Sequence, residues 1–216
     1  MTFDPITIFA ILTAFALGGT LKGATGAGAP ILTITVIAAF YDVRIAVIIM
    51  LIPNLLTNIS QIYQFRKTIL PFFFTVSFAL GGGIGAFVGT ILLINLPIKI
   101  LMLSVAFIVV IYIVLKLIVP SWKLAYQRAR KLVFIMGTAG GVLQGSAGLS
   151  APVSITFLNS MKLDRNQFIP TISVYFGVMS VFQIPTLYYY DFFNFETDIQ
   201  NKFKYLLDIE KYSEKL

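Results

Sequence analysis

The chain is built of long uncharged apolar runs set apart by short polar punctuation: Pro5 to Leu21, Gly23 to Tyr41, Ile45 to Phe65, Thr68 to Ile98, Ile100 to Leu115, Leu132 to Met161 and Asn166 to Tyr190. Most reach the roughly 18 residues that mark a membrane-spanning helix. The shorter run Ile100 to Leu115 is flanked by Lys99 and Lys116, whose stems can snorkel outward. The pattern predicts an all-α, polytopic transmembrane helix bundle with six or more membrane segments. From Pro5 to Phe40 the chain is apolar except for Lys22. As one helix that stretch would be about 54 Å long against a hydrocarbon core of about 30 Å, so it has to break. The five glycines of "GGTLKGATGAGAP", Gly18 to Pro30, predict where.

The same wording returns 122 residues later as "GGVLQGSAGLSAP", Gly140 to Pro152. At that offset Gly18, Gly19, Leu21, Gly23, Gly26, Ala29 and Pro30 meet identical residues, and so do Asp42, Gln61 and Ile62, whose partners are Asp164, Gln183 and Ile184. This reads as two internal repeats with glycine-broken helices, the second shortened. The predicted divisions are a first transmembrane repeat over 1–119, a basic cytoplasmic linker over 120–131, a second, truncated repeat over 132–190, and a polar tail over 191–216. Proline suits the first position of a helix, so a helix should start near Pro30 and near Pro152. The residues before them, Gly26 to Ala29 and Gly148 to Ala151, should be unwound and present amide N–H groups to an anion. If the first break is a single crossing, the two halves run in the same direction; if it is a re-entrant hairpin, they are inverted.

Polar residues inside apolar runs are the next candidates. Asn54, Asn58 and Gln61 recur at helical spacing, with Thr57 alongside, and should face the bundle interior. Ser173, Ser180 and Gln183 do the same in the second half. Lys22 is read as snorkelling to an interface, with charge for an anionic substrate as the alternative. Gly81, Gly85 and Gly89, four residues apart, are read as a helix-packing face.

Composition narrows the chemistry. Charged residues make up 12% of the 216, and the mean hydropathy is +0.90. There is no cysteine and no histidine, which removes disulfides, thiol chemistry, the commonest metal ligands and the commonest proton shuttle. No acid lies deep in an apolar run, and no phosphate-binding GxxxxGK[ST] loop is present. These absences predict no enzyme, no cofactor and no metal site. The net charge of +7 is dispersed over short loops, with a concentration in "SWKLAYQRARK", Ser121 to Lys131, as the positive-inside rule gives for a cytoplasmic loop. The partners predicted are a small anion and the lipid bilayer, with a homo-oligomer allowed and nucleic acid excluded. "MTFDPITIF" has an acid and no cation, so the first segment is expected to be retained.

On the residues "KGATGAGAPIL", "GGVLQGSAGLSAPVSITFL" and "LDRNQFIPTISVYFGVMSVFQ", from Leu12 to about Tyr190, the chain resembles the sulfite exporter TauE/SafE family of membrane permeases. The family's usual glycine triplet reads Gly28, Ala29, Pro30 here. The resemblance implies a secondary permease or exporter in the plasma membrane (a prokaryotic inner membrane) for a small sulfur-containing anion such as sulfite or an organosulfonate. It carries the family's glycine motifs onto Gly23, Gly26 and Gly28 and onto Gly145 and Gly148. With neighbouring Thr25, Ser146 and Ser150 and the polar Asn54, Asn58, Gln61 and Gln183, these make the candidate substrate-binding set. The alternative reading is a membrane scaffold or an inactive truncated permease fragment, since the tail "DFFNFETDIQNKFKYLLDIEKYSEKL" cannot span a membrane and has only a weak apolar face of Ile199, Phe203 and Leu206.

Overall fold

Pro5 opens the first helix, α1 (Pro5–Thr25), behind Asp4 as its N-cap. Proline's missing N–H costs nothing there. The helix ends at Gly26, which is left-handed with φ 82° and returns its N–H to the Lys22 carbonyl at 2.7 Å. Gly28, at φ 109°, then caps α2 (Ala29–Phe40), which carries Pro30 in its first turn. The predicted break is thus three residues wide. α2 folds back along α1: the Thr33 hydroxyl donates to the Ala14 carbonyl at 3.4 Å, and a methyl on Gly18 would lie 3.1 Å from the Ala29 carbonyl. The break is a re-entrant hairpin.

In the computed structural model, which describes residues 4–118 and 123–190, the remaining elements are α3 (Val43–Phe65), a 3-10 turn at Arg66–Thr68, α4 (Phe72–Asn95), α5 (Ile98–Ile118), α6 (Tyr126–Ala147), α7 (Ser154–Ser160) and α8 (Arg165–Tyr189). The all-α bundle is as expected. Residues 120–122 of the predicted linker and the whole 191–216 tail lie outside the described residues, and the rest of the linker, from Tyr126, is already the first turn of α6.

Among the described residues, four helices are long and apolar enough to cross a membrane: Pro5–Thr25, Val43–Thr68 (α3 with its 3-10 turn), Phe72–Asn95 and Arg165–Tyr189. Two of the expected apolar runs are interrupted, for a physical reason. The run Gly23 to Tyr41 is halved by its glycines, and α2, at 12 residues, is about 18 Å long against a core of about 30 Å. The run Leu132 to Met161 is cut at Gly148, which ends α6 with φ 70° and leaves only the seven-residue α7 beyond it. There the new helix starts at Ser154, two residues after Pro152.

The frame of the bundle is a glycine ladder between α4 and α6. A methyl on Gly81 would sit 2.6 Å from the Phe134 carbonyl, and one on Gly137 would sit 2.5 Å from the Phe78 carbonyl. Gly85 meets the Thr138 carbonyl and Gly89 that of Val142, while Gly141 and Gly145 meet the carbonyls of Gly82 and Ala86. The pairing advances in step along both helices, so α4 and α6 are parallel. Lipid is as apolar as leucine, and close backbone approach is what holds such helices together. Tyr175 of α8 closes this core, stacked on Phe78 at 4.0 Å between centroids, with its hydroxyl donating to the Gly137 carbonyl at 2.9 Å.

α3 and α8 run antiparallel: Thr68 reaches the Asn166 carbonyl at 2.5 Å, and Gln61 meets Ser173 at 2.9 Å. These two helices occupy corresponding places at the 122-residue offset. The Leu124 amide bonds the Ser160 carbonyl at 2.7 Å. Together these contacts gather the end of α3, the starts of α4, α6 and α8, and the end of α7 on one face, with Arg66, Lys67, Lys123, Arg128, Arg130, Lys131, Lys162 and Arg165. At the opposite face the Arg44 guanidinium ties α3 to the end of α4, donating to the carbonyls of Leu93 at 3.0 Å, Ile94 at 3.1 Å and Leu96 at 2.7 Å.

Gly85→Ala should destabilise the fold by about 1–3 kcal/mol because a methyl has no room against the α6 backbone. Gly19→Ala, with nothing within 4 Å of the new methyl, should be neutral or stabilising by up to about 1 kcal/mol. Thermal unfolding in detergent, followed by circular dichroism, reads both.

Candidate functional site

The buried face of α1 is a stripe of small residues, Ala14 and Gly18, that ends on Lys22 one turn before the break. The stripe packs inward, and Lys22 goes with it. The side chain is 4% exposed, and its ammonium donates to Asn54 Oδ1 at 2.8 Å. This corrects the snorkelling expectation: the face on which Lys22 sits is covered by α2 and α3, so the stem has no route to an interface. Asn58, 0% exposed, donates from Nδ2 to the same Asn54 oxygen at 3.2 Å, and its own Oδ1 finds no donor among the described residues. Gln61 donates to the Lys22 carbonyl at 3.3 Å and accepts from the Ser173 hydroxyl at 2.9 Å. The stripe on α3 therefore turns inward as predicted and closes around a buried cation.

Beside this cluster lies a half-open cavity of about 390 Å³, bounded by α1, α2, α3 and α8. Lys22, Gly23, Thr33, Thr57, Ser60, Gln61, Gln64 and Arg165 supply its polar lining; Phe15, Met50, Pro53, Phe65 and Ile169 supply the apolar wall. The volume falls in the range of small-molecule sites. Ala29, at the start of α2, also lines it, and the amides of Gly28 and Ala29 have no acceptor among the described residues. The described acids are Asp4, Asp42 and Asp164, and none of them lines the cavity or pairs with Lys22.

The candidate residues separate into distinct places. Gly23, Gln61 and, through Lys22, Asn54 and Asn58 gather at the cavity. Thr25 stays on its own turn, bonding the carbonyls of Leu21 at 2.8 Å and Ala27 at 2.5 Å. Gly26 is buried against Ile169. Gly28 meets Gly148 and Ser150 across a crevice of about 10 Å³, also lined by Gln144 and Phe176, which at that size holds about one water at most. The two breaks thus adjoin, but the larger space lies on the first alone. Gly145 sits within α6 on the ladder against α4, and Ser146 bonds its own helix at the Val142 carbonyl, 2.8 Å away. Ser150 takes the Gln144 side chain on its amide at 3.3 Å, and Gln183 donates to the Gly145 carbonyl at 3.5 Å. Outside the candidate set, the structure adds Lys22, Ser173 and Arg165. The Arg165 Nη2 donates to the Gly23 carbonyl at 3.0 Å, joining α8 to the last turn of α1.

Asn54→Leu removes the one acceptor of a buried ammonium and should cost about 1–3 kcal/mol of stability. With Lys22→Met already present the same change should cost at least about 1 kcal/mol less, the signature of a coupled pair. A double-mutant cycle of unfolding free energies checks this, and additive effects would contradict the pairing.

Searches of curated proteins and of solved structures return no match. The sequence profile of the sulfite exporter TauE/SafE family matches residues 10–199, which takes in both glycine breaks and every described helix except the start of α1. A multi-pass bundle with a polar cavity at a broken helix is what a membrane permease requires, and the chain belongs to the sulfite exporter TauE/SafE family of membrane transporters for sulfur-containing anions.

Proposed function

We propose that the chain is a secondary exporter that carries a small sulfur-containing anion, sulfite or an organosulfonate, across the plasma membrane unchanged. The observation that carries this reading is Lys22: a cation 4% exposed inside apolar helices, bonded to one neutral amide and facing a cavity with no acid among the described residues. A buried charge without a counter-charge is costly. An anion in the cavity would supply that counter-charge, and the amide of Ala29, at the positive end of α2 and on the wall of the same cavity, would add to it.

The basic face supports a cytoplasmic placement under the positive-inside rule. The polar residues of α3 run from Asn54 past Thr57, Ser60 and Gln61 to Gln64, toward the end of α3 that lies on this basic face. The cavity then loads from the cytoplasm. A monovalent anion leaving a negative interior gains about 2.3 kcal/mol per 100 mV, so export needs no coupling residue. In this reading residues 1–119 and 132–190 are two repeats inverted in the membrane, joined by the basic linker, with α3 and α8 as the antiparallel counterparts.

In proteoliposomes, Lys22→Gln should lower sulfite or sulfonate efflux at least about tenfold, the loss of one charge-assisted contact. Unchanged flux in a folded variant would remove the site from Lys22. Because the chain has no cysteine, Ser60→Cys in intact cells gives a second measurement. It should react only with thiol reagents delivered from the cytoplasmic side, while Lys99→Cys reacts only from outside.

A further inference from the structure

Two cations are anchored at consecutive residues of α1. The Lys22 ammonium donates to Asn54, and Arg165 reaches across from α8 to hold the carbonyl of Gly23 at 3.0 Å. Both line the 390 Å³ cavity, and the described acids leave that lining free of carboxylates. Like charges on the wall of one cavity repel, and an anion seated in that cavity reverses the sign of the interaction. Arg165 also lines an outer recess with Lys67, Thr68, Asp164 and Asn166, so it stands where the basic face opens into the cavity. Its guanidinium has five N–H donors in a planar fork, and the Gly23 carbonyl takes one nitrogen's. Lysine offers a point charge, whereas the fork fits two oxygens on one central atom.

We infer that Arg165 is a specificity-determining residue of this site: its fork, on the wall of the cavity that Lys22 also lines, holds two oxygens of an oxyanion and so selects sulfite- and sulfonate-like anions over halides. The inference rests on the anion-export reading and goes beyond it by naming what distinguishes one anion from another. Lys22 supplies attraction to any anion. Arg165 supplies the geometric test.

The experiment is calorimetric titration of the purified full chain in detergent with methanesulfonate and with chloride, for the wild type, Arg165→Lys, Arg165→Gln and Lys67→Gln. Arg165→Lys keeps the charge and a donor for Gly23, and should weaken methanesulfonate about tenfold, as expected for one charge-assisted hydrogen bond, while leaving chloride unchanged. Arg165→Gln should weaken methanesulfonate further, and Lys67→Gln, confined to the outer recess, should bind like wild type. Wild-type affinity in Arg165→Lys overturns the inference, and so does an equal loss for both anions, which would make Arg165 a general charge or a brace for α1. The export reading fails separately: that outcome is a wild type whose methanesulfonate binding and flux do not depend on Lys22.

Discussion

A polypeptide can reverse direction inside a bilayer only where its backbone remains bonded or buried, and this chain meets that constraint with left-handed glycine. Gly26 at φ 82° and Gly148 at φ 70° each send the N–H back to a carbonyl four residues earlier, closing α1 and α6 at positions where an ordinary side chain would be strained. The cavity and its cation both depend on those turns. They allow α2 to lie back along α1, and this buries the stripe on which Lys22 sits. They also bring Ala29, at the start of α2, to the cavity that Lys22 lines. Were α1 to continue as a helix, Lys22 would have neither Asn54 as a neighbour nor a cavity to face.

The ladder between α4 and α6 does a different job. Burying leucine against leucine gains little in lipid, so contact between these helices comes from backbone surfaces brought together by the absence of side chains. The contact is parallel and spans three turns of glycine on each helix. It makes a stiff partition down the middle of the bundle. α8 is fastened to that partition by Tyr175 on Phe78 and by the fit of Tyr175 and Met179 over Gly82. The cavity lies on the other side of α8, between it and the hairpin of α1 and α2, where packing is by longer side chains and a space of several hundred Å³ survives.

Periodicity and glycine content made much of this legible. That the first run breaks followed from length, since a 36-residue helix cannot fit. Its glycines and Pro30 put the break at Gly26 to Ala29, one residue wider than observed, and Asn54 and Asn58 turn inward as a polar stripe on an apolar helix must. The ladder was half legible: Gly81, Gly85 and Gly89 announced a packing face, but their partners Gly137, Gly141 and Gly145 were hidden by their proximity to the second break, which drew Gly145 into the candidate site. Lys22 was misplaced because a lone lysine near a break can face either way, and only the tertiary cover of α2 and α3 decides. The clue was available in the register, for Ala14, Gly18 and Lys22 share one helical face and small residues mark a buried side. Arg165 gave no such sign. At the start of α8 it resembles any loop cation, and its contact with Gly23 joins residues 142 apart in the chain.

The two breaks are built alike and furnished differently, and this difference is the strongest argument that the first is where an anion rests. Gln61 and Gln183 each donate to a carbonyl in the last turn of the preceding broken helix, Lys22 and Gly145 respectively, one residue out of step at the 122-residue offset. At that offset Lys22 is answered by Gln144, Asn54 by Phe176 and Asn58 by Ser180. Gln144 folds onto the amide of Ser150 and fills its own break, leaving a crevice of water size, whereas Lys22 leans away from the break toward Asn54 and leaves its amides bare. A neutral amide can satisfy the backbone by itself. A cation cannot, and among the described residues the first break alone holds one, which is what the proposed anion site rests on.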